Sequence, residues 1–526
     1  MKYIIGQNRK QLVLFPTSLD ATIDTDNEVR FIDLFVESLD MSDMNFNINQ
    51  IENGRPAYHP KDLLKLYIYG YLNSIRSSRK LEKATKINIE LIWLMKGLQP
   101  DHNTISNFRK DNPKSIKKVF RATVQIAKNF NLIGGKLIAG DSTKLRAQNS
   151  KKNNFNKKKI DRHLAYIENK LEQYNNQLSE QDQDKNTNDT QREEEIKKLK
   201  SEIEKQNKRK ESYKSLEKQL DDTGEKQIST SDPESRQMIV RNNITEVVYN
   251  TQTTVDGKHN IPIDYKVTDT NDSKAMGGML RRAKSILRTN NFTALYDKGY
   301  HTGSEFETAD KLGINILVAI PKVATQAPNS AYNVANFTYD KENDYYLCPQ
   351  ENRLTTSGKL HKAATYNFKR YTTKACKDCP VKTECSKAKY GKAIQRSEYQ
   401  ELIENNKINI QNNENYYKQR QAIVEHPYGT IKRQWGFNHI MTKKYKHRAE
   451  ADVGLIFIAY NLRRLMNILG TEVLKEHLRL AISLFTNILH QTRLKLSQFK
   501  QFYNFNNFIN QIKNNCLKLL IFNQNF

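Results

Sequence analysis

The chain has 526 residues, and its 85 Lys and Arg against 58 Asp and Glu give a formal charge of +27. The length suits about three structural units, and the low hydrophobic fraction of 37% implies many solvated helices, loops or a polyanion-binding surface. No apolar run reaches membrane-spanning length, the N-terminus lacks a secretory apolar region, and five cysteines do not make a disulfide scaffold. A cytoplasmic protein whose basic charge meets nucleic acid is expected, with no membrane partner.

In chain order, GRPAYHPKDLLKLYIYGYL carries a helix-start Pro60, and Leu63, Leu64, Tyr67, Ile68, Tyr71 and Leu72 recur on one face. A helix near 89–96 follows. GLQPDHNTISNFRKDN then supplies a turn, an Asp101 cap and a short polar helix. This spacing is compatible with a helix-turn-helix that reads DNA through Asn103, Asn107, Arg109 and Lys110, or with a plain helical bundle. KLIAGD reads as a short buried strand ending in Asp141. Residues 150–235 are dominated by Lys, Glu, Asn and Gln. Ile160, Leu164, Ile167, Leu171, Tyr174 and Leu178 form a heptad seam there, and Ile196 to Leu220 a looser one. The polar turn between them favours an antiparallel helical hairpin over an intermolecular coiled coil.

After DPESR the pattern turns to strands: ITEVVYNTQTTVD and NIPIDYKVT, split by a hairpin turn at Asp256-Gly257. A helix, the strand FTALYD ending at Asp297, a second helix and the strand INILVAI complete a mixed α/β sheet. Cys348, Cys376, Cys379 and Cys385 lie in one short window containing the knuckle CKDCP, a spacing that suits four thiolates on a structural Zn²⁺, with reduced free thiols as the alternative. A helix over about 416–435 carries Tyr417, Arg420, Glu425, Lys432 and Trp435, with Pro427 disturbing it locally. Further helices run to about 490, and the tail is rich in Asn, Phe and Gln. No phosphate-binding loop is present, so no nucleotide cofactor is expected.

Two strand-ending aspartates suggest a cation site at the carboxyl edge of a sheet, although an aspartate after a strand is also ordinary turn chemistry. GDSTKLRAQNSKKNNF, LYDKGY and RQAIVEHPYGTIKRQWG together resemble a DDE transposase of a bacterial insertion sequence, in the insertion-sequence eleven-eighty-two group of the four/five-like assemblage. GRPAYHPKDLLKLYIYGYL with NTISNFR is similar to that family's N-terminal helical domain, and Asn250-Thr251-Gln252 and DPESR also fit. The resemblance spans about residues 15–470.

The resemblance implies an α/β fold. A ribonuclease-H-like mixed-sheet catalytic domain (133–335 and 395–470) would follow an all-α DNA-binding domain (1–132). It would carry an inserted helical hairpin (150–235), an inserted cysteine-rich zinc module (340–390) and a helical tail (471–526). Asp141, Asp297 and Glu425 would hold Mg²⁺ or Mn²⁺ for cleavage and strand transfer at the element's terminal repeats. Tyr417, Arg420, Lys432 and Trp435 would contact DNA, with Trp435 and Tyr417 equally suited to packing. Four residues separate Arg420 from Glu425 where the better-known relatives have three, which turns Arg420 away from the glutamate on a regular helix. Double-stranded DNA and a homodimer or larger assembly on it are the expected partners. The alternatives are a catalytically inactive DNA-binding derivative and a nuclease that hydrolyses without joining.

Overall fold

A computed structural model describes residues 18–46, 56–183, 189–241, 244–321 and 326–498. Cys516 and most of the low-complexity tail lie outside the described residues. Six N-terminal helices come first: α1 (Glu28–Glu37), α2 (Pro60–Leu72), α3 (Ser78–Ile87), α4 (Ile89–Leu94), α5 (His102–Asp111) and α6 (Pro113–Asn129). Pro60 opens α2, as its fixed φ favours. The Asp101 carboxylate caps α5 by accepting from the Asn103 and Thr104 amides at 2.8 and 2.9 Å.

The central sheet holds β1 (Leu137–Arg146), β4 (Arg236–Arg241), β5 (Ile244–Asp256), β6 (Ile261–Thr268), β7 (Thr293–Tyr296) and β8 (Asn315–Val318). β5 is antiparallel to β1 and β6, while β1, β7 and β8 run parallel. β4 shares with β6 the edge of β5 away from β1. α9 (Met276–Leu287) crosses from β6 to β7, and α10 (Gly303–Leu312) from β7 to β8. Between β1 and β4 the chain leaves through a two-residue ladder, β2 (Asn154–Phe155) on β3 (Ile228–Ser229). From it project α7 (Lys157–Gln183) and α8 (Asp189–Thr223). Ion pairs Lys157–Glu217 and Lys210–Glu168 show that the two helices run antiparallel, so the expected hairpin forms within one chain. Phe155, Ile160, Leu220 and Ile228 close a small core at its base, apart from the main one.

Residues 338–397 form a second sheet, in the order β13 (Ile394–Ser397), β12 (Asn367–Thr372), β11 (Arg353–Lys362), β10 (Tyr345–Leu347), β9 (Thr338–Asp340). Its strands are antiparallel, and the four-residue helix α11 (Lys382–Cys385) precedes β13. Sequence reading anticipated the cysteines here but not the sheet that carries them. α12 (Gln400–Asn412) and α13 (Glu414–Tyr428) return the chain to the central sheet. A π-helical segment Gly429–Gln434 extends α13, before α14 (Lys446–Leu469) and α15 (Thr471–Gln498).

α14 is buried along most of its length, without a break from Ala451 to Leu462. It packs on α2, α5, α6 and β6, so the N-terminal helices and the sheet share one continuous core. A buried ion cluster reinforces this junction. Asp452 of α14, fully buried, pairs with Arg76 at 2.6 Å, accepts the Met441 amide at 2.9 Å and lies 3.5 Å from Arg109 of α5. Burial pushes the Asp452 carboxyl up, but the two guanidiniums hold it below the ordinary range. The N-terminus of α14 is capped from across the fold by the DPESR segment. Asp232 accepts the Tyr445 amide at 3.1 Å and Glu234 the Lys446 amide at 2.6 Å.

Candidate active site

Side-chain alternation decides which way the acids point. Ala139 of β1, Leu295 of β7 and Val255 of β5 face α13 and pack on its Ile423 and Val424. Residues two further along a strand share a face, so Asp141 and Asp297 face α13 as well. β1 and β7 pair in register, with Ala139 opposite Leu295. Two more residues bring Asp141 beside Asp297. β1 does not end at Asp141, as the sequence suggested, but runs on to Arg146 against β5, with Asp141 opposite Thr253. Asp297 does follow the end of β7, where its carboxylate accepts the Gly299 amide at 2.8 Å.

Burial raises the Asp141 carboxyl to about 6. Arg420 and the Ser142 amide oppose this, and the charges of Asp297 and Asp272 add to it. Arg420 Nη2 stands 3.2 Å from Asp141 Oδ2. The four intervening residues thus turn Arg420 away from Glu425 but onto the first aspartate. Glu425 sits on the exposed rim of the same helix, where Gln421 Nε2 donates to its Oε1 at 2.9 Å. Among the described residues, no group of three or more His, Cys, Asp or Glu is gathered as the ligands of a metal ion. The structure therefore brings Asp141 and Asp297 together and leaves Glu425 outside them.

The π-helical turn carries Lys432 over β1, where Nζ donates to Thr143 Oγ1 at 3.0 Å, two residues beyond Asp141. Tyr417 Oη donates to the Tyr296 carbonyl at 3.0 Å, pinning α13 to the end of β7. Trp435 packs on Phe437 and Tyr460, with ring centroids at 5.5 and 6.4 Å. Both aromatics thus serve packing here. His426 shares a hydrogen bond of 2.7 Å with Tyr460 and is likewise part of that packing.

Sequence reasoning missed several members of the site. Asp272 accepts from Asn250 Nδ2 at 2.8 Å and Gln252 Nε2 at 2.7 Å, and Tyr300 Oη donates to Gln252 Oε1 at 2.5 Å. A Cβ built on Gly299 would lie 3.0 Å from Asp297 Oδ1 and 3.5 Å from Asp272 Oδ2, so the two carboxylates flank that glycine. Tyr428 is hydrogen-bonded to Thr253 and, at 3.2 Å, to the Asp141 carbonyl. The NTQ run was the available signal for Asn250 and Gln252. Asp272, in a polar TDTNDS stretch, reads as any turn aspartate.

Of the expected DNA contacts, Asn107 is exposed and Lys110 partly so, with Lys110 Nζ donating to Asn107 Oδ1 at 2.9 Å. Arg109 is a correction. It is 3% exposed, and its Nη1 donates to Tyr71 Oη at 3.0 Å and the Arg76 carbonyl at 3.1 Å. Desolvating a guanidinium requires such partners, and turning it out to a phosphate would remove one of the two guanidiniums that compensate Asp452. The four cysteines line one cavity with Leu354 and Gly391. Burial raises the Cys385 thiol, Lys392 opposes it, and the other three sulfurs add to the rise.

Residues 17–111 match the model of a transposase domain (DUF772), and residues 347–466 that of a transposase DDE domain. The two matches support a DDE transposase of an insertion sequence. The DDE match covers Arg420, Glu425, Lys432 and the four cysteines, while Asp141 and Asp297 fall between the two matched segments. No curated protein and no solved structure gives a significant match. Among the described residues, no helix is long and apolar enough to cross a membrane.

Proposed function

We propose that this transposase cuts and joins DNA at the terminal repeats of its own insertion sequence, in a ribonuclease-H-like catalytic domain. Asp141, Asp297 and Glu425 would be the acids that hold Mg²⁺ or Mn²⁺. The observation that carries the reading is the placement of Asp141 beside Asp297 on adjacent parallel strands, under the helix that bears Glu425. The central strand order, antiparallel on one side of β1 and parallel on the other, supports the fold assignment.

The donor set suits a hard divalent cation: all ligating atoms are carboxylate oxygens, and burial, with a smaller addition from the Asp297 and Asp272 charges, already raises Asp141. Such a cation would activate the attacking oxygen and stabilise the leaving one. Arg420 offsets that charge in its absence, and Glu425 would reach the cleft by rotating inward from the rim. In the DNA complex Arg420 and Lys432 hold backbone phosphates beside the acids. Tyr428 and Thr253 fix the β1–β5 floor on which Asp141 stands.

Cys348, Cys376, Cys379 and Cys385 line one cavity and are the donors a structural Zn²⁺ would take, although the structure does not gather them as ligands around one point, so binding would have to draw their sulfurs together. Burial first, and then the other three sulfurs, disfavour the Cys385 thiolate that a zinc ion would stabilise. Metal analysis of the purified protein, before and after chelation, tests this part. The main reading is tested by incubating the protein and Mg²⁺ with a labelled element-end duplex and a target plasmid. Joined product supports transposition, cut ends without joining indicate a nuclease, and binding without cutting indicates an inactive derivative.

A further inference from the structure

With Arg109 buried, the N-terminal region needs another basic surface if it is to hold DNA. α3 supplies one. Its Leu81, Ala84 and Thr85 are buried, and α3 packs against α5. On the opposite face Arg79, Lys80, Lys83 and Lys86 are all exposed. Arg79, Lys83 and Lys86 follow the i, i+4, i+7 spacing that aligns side chains along one helix face, in a row of about 10 Å. Among the described residues no carboxylate pairs with Arg79, Lys80 or Lys83, and Lys86 meets Glu82 at 3.4 Å. Glu82, the one acid on α3, also reaches the start of α5, where its other oxygen accepts the His102 amide at 3.1 Å and contacts Nδ1 at 2.8 Å. That contact fixes the two helices side by side. α5 then presents Asn103 and Asn107, one turn apart and both exposed, next to the basic row.

We propose that α3 and α5 form one duplex-DNA docking surface, in which Arg79, Lys83 and Lys86 anchor backbone phosphates and Asn103 and Asn107 read base edges. Charge complementarity selects the partner. A row of exposed cations, two of which (Arg79 and Lys83) pair with no carboxylate among the described residues, fits a phosphate backbone, and asparagine amides match the donor and acceptor edge of adenine in the major groove. Phosphate contacts position and base contacts specify, so the two helices divide the work. The inference rests on the transposase reading and adds to it which helix holds the DNA.

The experiment measures binding of the full chain to an element-end duplex, a scrambled duplex and an RNA duplex across a salt series, without divalent metal. Arg79→Gln/Lys83→Gln/Lys86→Gln should weaken binding to both DNAs alike and lower the slope of log K against log salt by about 2–3, near 0.9 per lost phosphate contact. Asn103→Ala/Asn107→Ala should leave that slope in place and reduce the preference for the element end about 10-fold or more. All are exposed positions, and circular dichroism and the unfolding midpoint should match wild type. An unchanged slope in the triple variant, with wild-type binding and cutting intact, overturns this surface while the proposed function stands. Tighter binding to the RNA duplex overturns DNA as its partner. A wild-type chain that neither binds nor cuts element ends overturns both readings.

Discussion

Gly140 has no room for a side chain because the ring of Tyr296 occupies the place where its Cβ would stand. A Cβ there would lie 2.0 Å from Cε1 and 2.4 Å from Cζ of that ring. Each of these residues immediately precedes a site aspartate. The ring of one strand nests on the bare backbone of its parallel neighbour, and this contact holds the strand positions next to Asp141 and Asp297 together. Tyr296 is 1% exposed, so its ring has no space to retreat into.

Gly140→Ala should therefore push Tyr296 aside at a cost of about 1–3 kcal/mol, the range for overpacking a filled core. Cutting should fall further than that cost alone implies, since the two carboxylates separate. Urea unfolding and an end-cleavage assay check the two effects. Gly140→Ala/Tyr296→Leu should recover most of the stability.

Asp141 makes stability depend on pH with a definite sign. Its carboxyl is lifted from 3.8 to about 6, so the folded state holds this proton more tightly than the unfolded chain does. Below about pH 4 both states are protonated and the effect vanishes. As pH rises through 6 the folded state loses the proton against burial, and the full penalty, about 3 kcal/mol at most, persists above that. Asp141→Asn should thus stabilise the metal-free protein at pH 7–8 by about 1–3 kcal/mol, with no gain at pH 4. Melting curves at the two pH values test this. Mg²⁺ should raise the melting midpoint of wild type more than that of the variant.

Arg109 shows why a recognition residue is hard to assign from sequence. In NTISNFRKDN it has the composition of a DNA contact, yet it completes the Asp452 cluster. Asp452→Ala leaves two buried guanidiniums uncompensated and should cost about 3–5 kcal/mol, while Arg109→Ala leaves Asp452 on Arg76 and should cost less. The double variant should cost less than the sum of the two. DNA binding measured on whatever protein remains folded should keep its salt slope. A stable Arg109→Ala protein that binds DNA poorly would restore the original assignment.

The parts of the fold that periodicity writes into the chain were legible. The strand pair split at Asp256-Gly257, the hairpin helices and the α2 start at Pro60 all stand where the pattern puts them. Asp141 and Asp297 were legible because each closes an apolar run, although β1 continues past its aspartate with alternating burial that KLIAGD does not reveal. The sheet around the cysteines was not legible, since its short strands are largely exposed and rich in Lys and Thr. Arg420's place was hidden for a geometric reason. Spacing along one helix told of its angle to Glu425 and nothing of a strand lying across from it. Asp272 was hidden because its role depends on Asn250 and Gln252, both on a strand that comes earlier in the chain.

The last expectation concerns which acids the chemistry needs. Asp141→Asn, Asp297→Asn and Glu425→Gln should each abolish cutting and joining while leaving binding to the element end within a few-fold of wild type. Each change removes a carboxylate charge and keeps the side chain's shape, so phosphate contacts made elsewhere persist. Asp272 separates two roles for the fourth acid. Its carboxylate is held by two amide side chains that can equally bond an asparagine oxygen, so Asp272→Asn should fold normally. The negative charge beside Asp297 disappears, and the Asp141 carboxyl loses one of the groups that raise it. If Asp272 contributes only that field, the variant should keep cutting, with its pH profile displaced toward lower pH. If its oxygen is needed in the cleft, cutting should stop at every pH, as with Asp297→Asn. Rate against pH for the four variants, on one element-end substrate, distinguishes these outcomes. A Glu425→Gln protein with normal strand transfer would remove the rim glutamate from the catalytic set and return the chain to a site of aspartates alone.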